Sequence, residues 1–429
     1  MNHPCSIRKL FVIRDFNLDL LWNYASMAIL MIGGFMINVI ISVHYDIETL
    51  GAFTQVLALL FITSQGSVLG LQFSALKHVS ELTQEPATLH KVLWTSLGLA
   101  AVLGLIASSV LYLAAGLITV LVNSALVGIM LSHAAWSLFF LSLNKVLLRT
   151  LNGLSWMRRF ALCQALRPVF MLAFILAAVP LRLPATWLGW VFVFSELFLF
   201  LVMLGFVATA IRPRRDSWDL AWAKRHLSFG GRFFMGGLIT ETNTRVDILM
   251  LGLLSSDQTV GYYSFAAIIS EGFYQLLAVV RNKVSPMLTP LLKERRYQDL
   301  ELLIRQLRKY IYPISAALAL IIIGGFKPLV WIIFRDHAFH QSWIVLCILL
   351  SSLVICAGHI PFTFTLLLAG RPGKNTLVFL GAFIPNILLN LFLIPLLGIY
   401  GAAIATALAN LIFLLSLRRS VRRELNFHL

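Results

Sequence analysis

Continuous apolar runs of about twenty residues recur along the whole chain, separated by short polar breaks. A helix rising about 1.5 Å per residue crosses the roughly 30 Å hydrocarbon core of a bilayer in one such run. Segments of that length and uniformity leave few options. Strands of a transmembrane barrel alternate with a period of two, so a barrel is excluded. Composition removes the soluble alternative. Of the 429 residues 59% are hydrophobic and 12% charged, against about 45–50% and 25% in a soluble domain.

Twelve spans are read, at residues 20–43, 51–76, 92–113, 117–141, 160–179, 185–209, 230–254, 261–284, 310–331, 342–368, 375–396 and 398–417. The weakest separation is between the third and fourth, where the break is Ala114-Ala115-Gly116. Lysine and arginine fix the orientation. With the N-terminus in the cytoplasm, thirty of the 34 basic residues fall in cytoplasmic segments or at their membrane-proximal ends. Arg182, Lys327 and Arg335 fall on the other side, and Arg245 lies inside a span. This asymmetry follows the positive-inside rule and puts both termini in the cytoplasm. A missed or invented span would move every later loop to the wrong side. The net charge of +16 is therefore topological. Nucleic-acid binding, which wants basic residues gathered on one module, is not expected.

The first apolar run is too long for a signal-peptide core and follows Asp15 and Asp19, so it reads as a retained helix. Cys5, Cys163, Cys347 and Cys356 lack metal-binding spacing, and none lies on the outer side, so neither a disulfide nor a metal site is expected. No Gly-Lys-Ser/Thr loop for a nucleotide is present, and no cofactor is expected. The longest outer loop, 332–341, offers Asp336 and His337, too little for the site of a membrane polymerase or glycosyltransferase. The chain is not expected to be an enzyme.

The longest polar stretch, 211–227, divides the sequence into an N-terminal six-helix lobe (1–209), a linker (210–229) and a C-terminal six-helix lobe (230–429). In the linker Trp218 and Trp222 stand one turn apart, beside Lys224 and Arg225. That pattern suits a short helix in the headgroup region with its tryptophans toward lipid. A solvated connector is the other reading. A weak internal repeat accompanies the division: Asp46-Ile-Glu-Thr-Leu-Gly51 opens the second span and Asp257-Gln-Thr-Val-Gly261 the eighth. Halves of six spans share an orientation, the parallel-repeat plan of many transporters.

The seventh span carries the strongest chemical signal. Thr240-Glu241-Thr242-Asn243-Thr244-Arg245-Val246-Asp247 places seven polar residues in eight positions at its centre. Each ionised residue near the midplane costs about 3 kcal/mol on the insertion scale, so three oppose insertion by roughly 9. Such a segment must face protein or water. On a continuous helix Glu241 and Arg245 pair across one turn, while Asn243 and Asp247 share a different face. Two roles stay open: a buried ion pair that fixes the helix, or the lining of a cavity that meets a charged or sugar-bearing substrate. Glu271, on the eighth span, reaches the depth of Arg245 and is the alternative partner. Arg281 and Lys283 stand near the cytoplasmic end, suited to phosphates and equally to the positive-inside pattern. Glu196 is a lone carboxylate in the sixth span, fit for a local hydrogen bond or for proton coupling. His133 and His359 read as core histidines.

Four stretches resemble a known family. Arg245-Val-Asp247-Ile-Leu-Met-Leu-Gly252 and Val260-Gly261-Tyr-Tyr-Ser-Phe-Ala266 look like the start of the second lobe in bacterial polysaccharide-export proteins. Ile394-Pro395-Leu-Leu-Gly398-Ile-Tyr-Gly401-Ala402-Ala403-Ile-Ala-Thr406 looks like their entry into the last span, and Gly370-Arg371-Pro-Gly-Lys374 also fits. The chain most resembles the Wzx-type flippases of O-antigen units, in the superfamily that also holds lipid II flippases and multidrug-and-toxin extruders. The resemblance implies an all-α integral membrane protein with two six-helix lobes in a bacterial inner membrane. It implies translocation of an undecaprenyl-diphosphate-linked oligosaccharide by alternating access, beside other polysaccharide assembly proteins. Arg245, Glu241, Asn243 and Arg281 are then the expected substrate-binding residues. Asp247, Glu271 and Glu196 are the candidates for coupling to a proton or sodium counter-ion. A small-molecule antiporter of the same superfamily is the alternative.

Overall fold

A computed structural model describes residues 5–209, 211–212, 217–334 and 339–427, with side chains from Trp22 onward. Arg335, Asp336 and His337 of the expected outer loop lie outside the described residues, as do the side chains of Arg8, Lys9 and Arg14. All regular structure among the described residues is helical. Among the described residues nine helices are long and apolar enough to cross a membrane, or eleven stretches if each of two bent pairs counts as one span. The expected seventh span is not among them, because its polar run divides it. The chain is a multi-pass membrane protein.

The helices are α1 (Cys5–His44), α2 (Ile47–Val68), α3 (Leu71–Glu81), α4 (Pro86–Val122), α5 (Ala125–Ala134), α6 (Ser137–Gly153), α7 (Met157–Ala178) and α8 (Leu188–Ala208). They continue as α9 (Leu220–Asn243), α10 (Val246–Leu254), α11 (Asp257–Lys293), α12 (Tyr297–Phe334), α13 (His340–Cys356), α14 (Thr365–Leu368), α15 (Pro372–Leu397) and α16 (Ile399–Leu425). Two compact units result. One is Met1–His44 with Leu59–Leu238, the other Tyr45–Ala58 with Ile239–Leu429. The division thus runs through α2 and α9, and the polar stretch 211–227 belongs to the first unit.

The first unit is built around α6, which packs on α3, α4 and α8, while α1 lies along α7. Leu71, Leu93, Leu97, Leu147 and Met203 are buried in its core. The third and fourth spans separate later than the sequence suggested. Helix α4 runs through Ala114–Gly116 and stops at Asn123, which takes the left-handed conformation at φ 53°. Ser124 then caps α5 by accepting a hydrogen bond from the Val127 N–H, 3.2 Å. Asparagine tolerates that φ and serine satisfies an orphan helix donor, so these two residues make the turn. Alanine and glycine at 114–116 lack a cap and simply continue the helix.

The linker is anchored on the first unit. Trp222 packs on His78 and His226, while Trp218 is largely exposed, with one ring edge against Gly98 of α4. Polar bonds anchor the segment to α4, with Thr95 Oγ1 donating to the Ser217 carbonyl at 3.1 Å and accepting from the Asp219 N–H at 3.0 Å. Asp219 caps α9 by accepting from the Trp222 and Ala221 N–H groups, which hold its carboxyl below the usual range. A headgroup-region helix would leave those bonds to water; α4 supplies them here.

His226 is the buried pin of this attachment. Its Nε2 lies 3.1 Å from the Val92 carbonyl and its Nδ1 2.8 Å from Ser74 Oγ. A carbonyl only accepts, so Nε2 carries the proton and Nδ1 accepts from the Ser74 hydroxyl. The neutral ring satisfies both partners. Burial lowers its pKa to about 4, from an ordinary value of about 6.5. Below about pH 6.5 the unfolded chain therefore takes up a proton that the folded chain refuses. The stabilisation is complete above pH 6.5 and lost as pH falls toward 4, by roughly 3 kcal/mol over the window. In detergent the melting temperature should fall from pH 6.5 to 4.5, and His226→Phe should flatten that slope. An unchanged slope in the variant would assign the loss to another group.

In the second unit α15 packs along α16, and α13 packs on both α11 and α16. Val284, Leu288, Ile304, Val378, Leu417 and Val421 lie in its core. Here the two copies of the sequence repeat meet. A Cβ on Gly51 would overlap the Asp257 carbonyl oxygen, and a Cβ on Gly261 would overlap the Ile47 carbonyl oxygen. Each glycine thus faces the carbonyl four residues before the other. Gln55 Nε2 closes the contact by donating to Asp257 Oδ1 at 2.6 Å. Two backbones approach this closely only where neither carries a side chain.

Candidate functional site

The polar run of the expected seventh span does not remain helical. Helix α9 ends at Asn243 and α10 begins at Val246, with Arg245 at φ −125° and ψ −8° between them. Threonine and asparagine favour such a break because their side chains compete for local backbone bonds. Thr244 Oγ1 does so, donating to the Glu241 carbonyl at 2.8 Å. The break interrupts the continuous helix on which the pairing of Glu241 with Arg245 and the shared face of Asn243 and Asp247 are expected. Arg245 instead caps α10, and Asp247 enters its first turn, where free N–H groups and the helix dipole favour a carboxylate.

Asp247 is the centre of a cluster drawn from four helices. Oδ1 accepts from Asn390 Nδ2 at 2.9 Å and from Asn386 Nδ2 at 3.3 Å, both on α15. Oδ2 accepts from the Tyr263 hydroxyl of α11 at 3.0 Å and from the Thr406 hydroxyl of α16. Among the described residues its hydrogen-bond partners are these four neutral donors. The Oδ1 of Asn390 is buried and, among the described residues, without a hydrogen-bond partner. An unmatched amide oxygen beside a carboxylate, two hydroxyls and a second amide is the oxygen-rich environment that hard cations take.

The motif stretches explain the assembly. Asp247, Tyr263 and Thr406 each come from one of them. Gly398, at φ +56°, turns α15 into α16 and so brings Asn386 and Asn390 beside Thr406. Asn386 and Asn390 were not read from the sequence, although two amides one turn apart on an otherwise apolar helix were a signal.

The other expected residues are distributed. Glu241 and Asn243 occupy the last turn of α9, and the Asn243 Oδ1 is buried without a hydrogen-bond partner among the described residues. Arg281 donates to the Tyr274 hydroxyl at 3.1 Å and lies over the Phe364 ring at 4.8 Å. Glu271 is exposed on α11. Glu196 is not a lone carboxylate. Arg167 Nε stands 2.7 Å from its Oε1, and Asn144 Nδ2 donates to its Oε2 at 2.7 Å. A fork of this kind matches the two carboxylate oxygens and ties α7 to α8. In the sequence Arg167 falls with the cytoplasmic basic residues, which conceals the pair.

Two further cations enter the first unit from α6. Lys145 Nζ donates to Ser64 Oγ at 2.6 Å, and the Arg149 guanidinium lies over the Phe73 ring at 5.9 Å. In the sequence both fall in the basic cytoplasmic stretch between the fourth and fifth expected spans.

The family described as polysaccharide biosynthesis protein matches residues 68–334. The chain belongs to this family. Its match takes in Asp247 and Tyr263, and the resemblance read from the motifs holds. No curated protein matches the chain significantly. Among solved structures, the family member is similar to the lipid II flippase MurJ in an inward closed conformation, with 16% identity and a TM-score of 0.74 over 94% of this chain and 87% of that one. It is similar to an inward-facing multidrug resistance MATE transporter of the MOP superfamily, with 12% identity and a TM-score of 0.72 over 94% and 97%. A MATE transporter of Vibrio cholerae, VcmN, gives 12% identity and a TM-score of 0.64 over 95% and 98%. This polysaccharide biosynthesis protein therefore has the fold of those transporters.

Proposed function

We propose that the protein moves an undecaprenyl-diphosphate-linked oligosaccharide from the cytoplasmic to the outer leaflet of a bacterial inner membrane, by alternating access and without covalent chemistry. One observation carries the reading: a polysaccharide biosynthesis family member with a transporter fold directs basic side chains into its helical units. Lys145 and Arg149 do so in the first unit, Arg281 in the second. A diphosphate gains most from such groups where water is scarce, because Coulomb attraction strengthens as the dielectric falls. A cationic drug would be repelled by them, which disfavours the multidrug antiporter. Arg245, at the helix break, is the further candidate for the anion.

The Asp247 cluster suits the counter-ion. A proton would neutralise the carboxylate; a sodium ion would replace its four donors with oxygen ligands from Asp247, Asn386, Asn390 and Thr406. Either changes the charge at the start of α10, two residues from Arg245. Glu271 remains a second candidate for that role.

Purified protein in liposomes would test the reading. Translocation of a fluorescent lipid-linked oligosaccharide is expected, and efflux of cationic dyes is not. Arg281→Ala and Arg245→Ala should each slow translocation about tenfold or more, with lysine restoring part, since it keeps the charge but not the planar fork. Gradient-driven dye efflux without movement of the glycan lipid would overturn the assignment.

A further inference from the structure

The described part of the second unit holds a cationic cluster that the transport reading does not use. The expected tenth span breaks after α13, at Ala357–His359, and resumes as a bent stretch through α14 at 59°. The break exposes the Gly358 carbonyl, to which Arg308 Nε of α12 donates at 3.1 Å. Glycine is required there, because a Cβ at 358 would meet the Tyr312 ring at 2.5 Å. Tyr312 in turn places its hydroxyl 3.3 Å from His359 Nδ1.

Two polar atoms are left over. Arg308 Nη2 and His359 Nε2 are buried and, among the described residues, have no hydrogen-bond partner. His359 is only 7% exposed. A buried guanidinium N–H without an acceptor is costly, about 1–3 kcal/mol or more for a charged group. The charges that act on His359 are Arg308 and Arg418 of α16, and both are positive. Arg418 is exposed. Arg308 stands two residues before the expected ninth span and Arg418 directly after the twelfth, so the sequence assigns both arginines to the cytoplasmic end, with His359 deeper at the break in the tenth span.

We propose that Arg308, His359 and Arg418 form a binding site for a lipid-borne phosphate in the cytoplasmic leaflet. The phosphate oxygens accept from Arg308 Nη2 and His359 Nε2, and Arg418 closes the site from the solvent side. Two lipids carry that chemistry: a resident anionic phospholipid, and the prenyl diphosphate of the proposed cargo. The inference stands apart from the transport reading, because its readout is binding.

Delipidated, detergent-purified protein would be measured by native mass spectrometry with phosphatidylglycerol, farnesyl diphosphate or inorganic phosphate. Wild type is expected to retain one lipid-phosphate adduct, with affinity falling about tenfold or more in Arg308→Gln and in Arg418→Gln. Should Arg308→Gln fail to fold, the exposed Arg418 carries the comparison alone. Retention of phosphatidylglycerol makes the occupant a membrane lipid, and retention of farnesyl diphosphate alone makes it the cargo; either supports the site. Lipid binding unchanged in Arg418→Gln, or binding of inorganic phosphate with neither lipid, would overturn it.

Discussion

If an ion gradient drives the proposed transport, Asp247→Asn is expected to abolish the gradient dependence while leaving the protein folded. Asparagine keeps the shape of the side chain and one acceptor oxygen, so Tyr263 and Thr406 can still be satisfied. The full charge is lost. For a cation held in an oxygen cluster that charge is worth roughly 2–3 kcal/mol, tens to about a hundredfold in affinity. Sodium binding measured by titration calorimetry should fall by that factor if sodium is the counter-ion. If the counter-ion is a proton, the pH dependence of transport should disappear instead. Asp247→Ala should be worse in a different way. It strands Asn386, Asn390, Tyr263 and Thr406, each at about 1–3 kcal/mol before they re-pair. Protein abundance should drop with it. Tyr263→Phe removes one donor of four and is expected to cost about 1 kcal/mol, with coupling retained. Asp247→Asn that keeps full gradient dependence would make the cluster a scaffold.

Much of the fold is legible in the sequence because lipid imposes a length and a uniform apolarity on whatever crosses it. The apolar runs find α1, α4, α7, α8, α11, α12, α15 and α16 directly. Breaks are harder, because they depend on local bonds that a hydropathy pattern does not contain. The Asn123-Ser124 turn has a capping residue and a left-handed residue in order, and could have been read. The break at Thr244–Arg245 was hidden by assuming a continuous helix through a run whose threonines and asparagine argue against one.

The site was half legible for a related reason. Asp247 stood out because an acid in an apolar helix has to be explained. Asn386 and Asn390 carry no charge and attract no such demand, yet they supply half of its donors. Arg167, Lys145 and Arg149 were lost to the opposite bias. Counting them toward the positive-inside rule gave each a sufficient explanation, and their partners Glu196, Ser64 and Phe73 are distant in sequence.

The internal repeat acquires its physical meaning at Gly51 and Gly261, and a double-mutant test follows from it. Gly51→Val and Gly261→Val should each lower thermal stability in detergent by about 1–3 kcal/mol or more, the cost of overpacking a tight interface. No rotamer relieves the clash, because each new Cβ meets a backbone carbonyl oxygen. The helices must separate, and separation also breaks the buried Gln55–Asp257 bond. Once they have moved for one valine, the space the second requires is already open. The double variant should therefore be little less stable than the worse single one, well short of the sum. Independent packing defects predict additivity within about 0.5 kcal/mol. An additive double variant would mean that the two glycines do not share one contact. Gln55→Leu separates the remaining contribution: it removes the hydrogen bond without touching either glycine. In the Gly51→Val background it should cost almost nothing further.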